Sequence, residues 1–389
     1  MKFAFNEEQE GLRQAARGFL ATHSGPAQVR KAMASEAGYD RDVWRRIAAE
    51  LGWPSLLVPE QYGGAGLGYV DLVALLEETG AFLLCSPFFS TICLGANALL
   101  RAGSEAQKQE HLPAVAAGER TLTLAYTEAN GRWDAQAIGA LARREAGGFV
   151  LSGAKTFVPD GHTADLLVVA ARAEGSRGEE GVSLFLVPGK AAGVERRLLP
   201  TMDQTRKQAQ VELRDVRLPA AALLGEEGGG WQVLSAVLDR AAVALSAEQV
   251  GGAQRCLDMS VEYAKQRIQF GRPIGSFQAI KHKCADMLLR VESARSASYY
   301  AGWAAATDDA ELPVLASLAK AYCSDAYFHC AAEAIQIHGG VGFTWEYDVH
   351  LYFKRAKSSE TLFGDAAYHR ELVARRIGLG ARRGAQANG

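Results

Sequence analysis

The 389-residue chain is 48% hydrophobic and 22% charged, with a formal net charge of −2. A chain this long buries one large core or two to three smaller ones, and its nearly balanced charges give nucleic acid no electrostatic foothold. No apolar run reaches the roughly 18 residues that a bilayer-spanning helix needs, and the opening MKFAFNEEQEGLRQAARGFL carries acids where a signal peptide is apolar, so no membrane partner and a cytoplasmic setting are expected.

The first region, residues 1–120, reads as helices. Asn6 precedes EEQEGLRQAARGFLATH, in which Leu12, Ala16 and Phe19 recur at helical spacing, and is the expected N-cap. A second helix is expected around Asp40 to Glu50, and a third from about Tyr69 to Thr79, stopping at Gly80. Thr91 to Ala102 reads as a fourth. A glycine-rich loop, VPEQYGGAGLGYVD, separates the second from the third.

At Thr121 the texture changes. TLTLAY, FVLSG, LLVVAA, VSLFLVP and QAQVELRDVRL are short runs rich in β-branched and aromatic residues, parted by Gly, Asp and charged turns. They predict a β-domain over residues 121–225, ended by the hinge GEEGGG. Helical period then returns over residues 226–389. Helices are expected from about Val233 to Arg267, Ser276 to Ala306 and Pro313 to Ile337, with two shorter ones after Thr344 and Lys357. The fold class is therefore α+β and multidomain: helical domain, β-domain, C-terminal helical bundle. It lacks the strand–helix alternation of a doubly wound sheet, and no GxGxxG opens a helix after a strand.

The six cysteines form no CxxC pair and read as small buried hydrophobes. The eight histidines show no HExxH or other ligand spacing, so no metal is expected. Trp44, Trp53, Trp231, Trp303 and Trp345 read as packing residues, and Arg143-Arg144-Glu145 and the tail Ala381-Arg382-Arg383 as solvated surface.

Two segments carry the functional reading: YAKQRIQFGRPIGSFQAIKHKCADM and AIQIHGGVGFTWEYDVHLYFKRAK. Arg267, at the end of a long helix, reads by itself as a solvated cation that can present a fork to an anion, with Phe270 and Gln278 beside it and Gly271 turning the chain. Gln336 can donate and accept, and Gly339 and Gly340 let backbone N–H groups approach a ligand closely. In the order RxxFGxxxxxxQ, then QxHGGxGF, these segments resemble the signature regions of the acyl-CoA dehydrogenase family. The resemblance extends along essentially the whole chain, since the order of its three regions matches as well.

The resemblance implies the acyl-CoA dehydrogenase fold, FAD as cofactor, an acyl-CoA substrate and electron-transfer flavoprotein as electron acceptor. It implies that Arg267, Phe270, Gln278, Gln336, Gly339 and Gly340 reach across a subunit interface to the ADP half of a neighbour's FAD. Oligomerisation, most often to a tetramer, would then be obligatory. Thr127 and Phe157 would belong to the flavin-ring pocket.

Departures from the family pattern gather in that pocket. Where the family reads T-E-P-G-A-G-S, this chain reads Thr127-Glu128-Ala129-Asn130-Gly131-Arg132-Trp133, and where it reads W-I-T-N-G, this chain has Phe157-Val158-Pro159-Asp160-Gly161. Pro159 lacks both a hydroxyl and an N–H. Desaturation of a thioester needs a carboxylate to remove the α-proton. The family's two base positions fall on Phe363 and Ala241. Glu248, Glu360 and Asp365 are the substitute carboxylates nearby, each with an ordinary reading as a solvated or capping residue. A kept arm and an eroded centre suggest a subunit that works with a second acyl-CoA dehydrogenase chain. The block HGGVGFTWEYDVHLYFKRAKSSE resembles subunits of two-chain acyl-CoA dehydrogenases that act on bulky acyl groups such as sterol side chains. A self-sufficient homo-oligomer with a relocated base and a flavin-free scaffold are the alternatives.

Overall fold

The computed structural model describes residues 5–379; the Ala381-Arg382-Arg383 tail lies outside the described residues. α1 (Glu7–His23) starts as expected: Asn6 accepts from the Gln9 N–H, and the Gln9 side chain accepts from the Asn6 N–H, which closes a capping box. α2 (Pro26–Ala34) was not expected; it is nine residues long, too short to show its period. α3 (Arg41–Leu51) is capped by Asp40 and ended by Gly52 at φ 63°. α4 (Tyr69–Ala81) is buried on nearly every side, in keeping with its apolar sequence.

The helix expected from Thr91 is wound differently. Phe89–Ala96 forms a π-helix that runs into α5 (Asn97–Ala102), a rare winding that recurs at functional sites. α6 (Glu105–Ala116) was also not expected. It carries Pro113 inside and a weak apolar stripe, although its Ser104–Gln107 capping box was there to be read.

β1 (Leu122–Ala125) to β8 (Leu223–Leu224) build one sheet. In between come β2 (Leu141–Glu145), β3 (Gly148–Pro159), β4 (Leu166–Ala173), β5 (Val182–Pro188), β6 (Val194–Leu198) and β7 (Gln208–Pro219). The strand order is β6-β7-β3-β2-β4-β5-β8, with β1 parallel to β4. Arg143, Arg144 and Glu145 lie on the solvent side of β2. β3 is longer than FVLSG suggested, because it continues through an irregularity between Lys155 and Val158 that leaves Phe157 at φ 53°.

α7 (Gly230–Gln266) begins three residues before the expected Val233 and leads into the hairpin β9 (Ile268–Gln269) and β10 (Arg272–Pro273). α8 (Gln278–Ala306) and α9 (Leu312–His338) complete the long helices. α10 (Val349–Thr361) contains Lys357, after which a separate helix had been expected; the break falls later, and α11 is Ala366–Arg376. Phe363 (φ 64°) and Gly364 (φ 111°) make that break. α4 and α7 approach so closely that a Cβ on Gly80 would lie 1.9 Å from the Glu248 carbonyl oxygen, and one on Gly251 would lie 1.8 Å from that of Glu77.

The largest apolar core joins α1, α4, β1, β5 and α7, so sheet and helices share it. Five of the six cysteines are buried, Cys284 is half-buried, and all are free thiols. Trp44 and Trp53 are core residues, whereas Trp345 is 61% exposed and lies at the surface with Lys354 over its ring, contrary to the packing role expected of it. No helix among the described residues is long and apolar enough to cross a membrane.

Candidate functional site

The two signature segments meet at one end of the bundle. Arg267 leaves α7 in extended backbone. Phe270 and Gly271 then form the corner of the β9–β10 hairpin at φ 51° and 75°, the left-handed pair that a two-residue hairpin loop uses. Tyr263, one turn before Arg267, stacks on His338 at the end of α9 with ring centroids 4.2 Å apart. That contact brings Arg267 and Gln278 to the end of the bundle where Gln336, Gly339 and Gly340 lie. Phe270 is 90% exposed, and Cβ atoms added at Gly339 and Gly340 would meet nothing within 4 Å. Among the described residues, the Arg267 guanidinium and the Gln278 and Gln336 amides engage no other side chain. A free guanidinium, two free amides and an unobstructed Gly-Gly backbone suit an anion joined to an amide-rich heterocycle.

A cavity of about 290 Å³ lies between the β-domain and the break after α10. Thr127, Phe157, Pro159 and Phe363 all line it, so the retained threonine and three departures from the family pattern share one wall. Its polar groups are largely engaged. The Thr127 hydroxyl donates to the Thr156 carbonyl (2.5 Å), and Glu128 Oε1 accepts from buried Lys155 (2.6 Å) and from two backbone N–H groups. The Gln208 amide has no side-chain partner, and the Tyr126 hydroxyl on the same wall is buried without one; neither was singled out from the sequence.

A second space, a cleft of about 700 Å³, opens between β-domain loops, the start of α7 and α11. Trp133, Trp231 and Tyr368 form its aromatic walls, with Arg132, Arg375 and Arg376 around it. Arg376 pairs with Asp239 at 3.0 Å. Trp231 is half-buried and packs against the main core, as expected, and also borders this space.

None of the three substitute carboxylates is unengaged. Glu248 is buried and shares Oε1 between the guanidiniums of Arg206 and Arg355. Glu360 pairs with Lys357 at 2.9 Å. Asp365 caps α11 by accepting from the Tyr368 N–H at 2.8 Å. At the family's own base positions, Phe363 is buried against Phe89 and Ala241 is fully buried in the core.

The loop carrying Phe363 is held from behind. Fully buried Lys320 donates to the carbonyls of Glu360 and Gly364, both at 3.0 Å, and burial pulls its pKa down to about 7. His369 contacts the Phe363 carbonyl through Nε2 and Ser317 Oγ through Nδ1, both at 3.2 Å, and burial lowers its pKa to about 3. A neutral imidazole that donates from Nε2 and accepts at Nδ1 satisfies both contacts.

Three family matches tile the sequence: the acyl-CoA dehydrogenase N-terminal domain over residues 6–119, the middle domain over 123–216 and the C-terminal domain over 228–378. The chain belongs to the acyl-CoA dehydrogenase family. Acyl-CoA dehydrogenase IpdE2 of Mycobacterium tuberculosis is 36% identical over 92% of this chain and 93% of its own length. Among solved structures, butyryl-CoA dehydrogenase of Megasphaera elsdenii superposes with a TM-score of 0.91 at 28% identity, covering 97% of this chain and 100% of that one. A chain of the ChsE4-ChsE5 complex of Mycobacterium tuberculosis gives 0.87 at 29%, covering 97% and 99%.

The family's oxidoreductases are FAD-dependent, and the two regions of this chain fit FAD unequally. The arm fits the ADP end, because its polar groups are exposed and unclaimed. The central cavity fits the flavin ring less well. Its threonine and glutamate are engaged within the protein and Pro159 has no N–H to offer, while the Gln208 amide, the unpartnered Tyr126 hydroxyl and the exposed face of Phe157 remain.

Proposed function

We propose that this chain is a subunit of a two-chain, FAD-dependent acyl-CoA dehydrogenase, and that it completes the FAD site of its partner. The observation that carries this reading is the contrast between an unclaimed arm and a centre whose every nearby carboxylate is engaged. Bound FAD supplies the hydride acceptor for α,β-desaturation of an acyl thioester. The residues of this chain would act on the other end of that molecule. Arg267 would pair with the pyrophosphate, Gln278 and Gln336 would bond the adenosine, and Gly339 and Gly340 would admit it to the backbone. Phe270 would cover one side.

The α-proton needs a base, which the partner chain would provide. The cleft beside Trp133 and Trp231 would receive the nucleotide handle of a CoA thioester. By likeness to the family, the assembly would be a heterotetramer, pass electrons to electron-transfer flavoprotein and work in the cytoplasm. The two-chain reading draws support from the ChsE4-ChsE5 complex.

The test is the visible spectrum and FAD content of the chain purified alone and co-expressed with a homologous partner. Alone it should be colourless or substoichiometric, and with the partner fully loaded. A stoichiometric yellow protein that an acyl-CoA bleaches without any partner would overturn the proposal.

A further inference from the structure

The cavity and the cleft have two lining residues in common, Trp133 and Phe363. They are neighbouring spaces parted by aromatic side chains. Phe363 is 5% exposed, and its ring lies nearly parallel to that of Phe89, with centroids 6.2 Å apart and 14° between planes. Phe89, in the π-helix, has the Arg206 guanidinium 4.9 Å from its ring centroid. Arg206 in turn pairs with Glu248, Glu248 with Arg355, and Arg355 with Asp203 at 3.1 Å. A chain of contacts therefore runs from Phe363 to an ion network that is buried throughout.

The backbone points the same way. A phenylalanine at φ 64° is strained, and such a residue persists only where its surroundings over-determine it. Here Lys320 grips the Gly364 carbonyl and His369 contacts that of Phe363. Tyr368 closes over Gly364, where an added Cβ would lie 2.3 Å from its ring. Trp133 approaches Tyr368 with ring centroids 5.2 Å apart. Each aromatic that parts the two spaces thus packs against another, Phe363 against Phe89 behind it and Trp133 against Tyr368 of the cleft wall.

We propose that Phe363, backed by Phe89 and Arg206, is a fixed septum that separates the cleft from the cavity, so that this chain accepts the handle of a CoA thioester but turns its acyl tail away. The inference rests on the acyl-CoA reading above and adds which residue sets the ligand's reach. It also gives Glu248 a task other than proton transfer, that of anchoring the cation behind the septum.

Calorimetric titration of the full chain with CoA, hexanoyl-CoA and decanoyl-CoA tests this. Wild-type affinities for the two thioesters should agree within about threefold. In Phe363→Ala the spaces join, and affinity should rise by roughly fourfold for each methylene that leaves water. Phe89→Ala, which removes the support but keeps the ring, should shift the slope in the same direction. If far-UV circular dichroism shows Phe363→Ala unfolded, Phe363→Leu replaces it. Equal slopes in wild type and variants would overturn the septum, as would a wild-type affinity that already climbs with chain length. Absence of any CoA binding would overturn it too, by removing the handle site. The FAD content of the co-expressed assembly is read separately, so a failed septum and a failed arm give different results.

Discussion

The arm at the bundle end and the cavity at the domain junction obey opposite rules of satisfaction. In the arm, Arg267, Gln278 and Gln336 keep their hydrogen-bonding capacity, and Phe270 stands in solvent. In the centre, Thr127, Glu128 and Glu248 have spent theirs on Thr156, Lys155, Arg206 and Arg355. A group waiting for a ligand must leave its bonds unmade, and water tolerates that at a surface. A buried group cannot wait, because an unmade bond there costs about 1–3 kcal/mol or more. Internal partners therefore keep the buried groups of the cavity satisfied whether or not a ligand is present.

Removal of Glu248 should cost the most. Glu248→Ala leaves Arg206 and Arg355 buried with one carboxylate fewer, and should destabilise the fold by about 3–5 kcal/mol, read as a lower urea midpoint. A general base would behave otherwise, with turnover lost and stability kept. Arg267→Ala should do the reverse of Glu248→Ala. Loss of a charge-assisted contact worth about 1.5–3 kcal/mol should lower FAD retention of the co-expressed assembly at least tenfold. Its melting temperature without FAD should not move, since the guanidinium holds nothing within the chain.

Acid sharpens the contrast. His369 and His350 are buried and nearly neutral by environment, with pKa values lowered to about 3 and about 4. The unfolded chain binds their protons from about pH 6.5 downward, and the folded chain does not. Stability is therefore full above pH 6.5 and falls as pH drops from there toward 3. Melting temperatures between pH 7 and 4 should decline, and the decline should flatten in His369→Gln; an unchanged slope would show that the imidazole is not buried as described. The smallest effect belongs to Phe270→Gly. Removing a 90% exposed ring from a left-handed position should leave stability within about 0.5 kcal/mol of wild type or slightly raise it. FAD retention should still fall.

How much of this the sequence disclosed follows from how far apart the cooperating residues lie. The arm was readable because each half is a short contiguous run, and its geometry of helix end, tight turn and Gly-Gly is local. The long helices and most strands were readable from period. α2 and α6 were not, since nine residues and a proline-bearing twelve show little periodicity. The septum could not be read at all. Phe89, Arg206, Glu248 and Phe363 come from four distant stretches, and only packing reveals that the glutamate faces two guanidiniums. Phe363 was visible as a missing base but not as a wall.

α4 and α7 meet along a glycine seam at backbone contact. Gly80 and Gly251 each lie against a carbonyl of the opposite helix, with no room for even one methyl group. A substitution at either would pry the N-terminal domain from the bundle, whatever chemistry the chain performs.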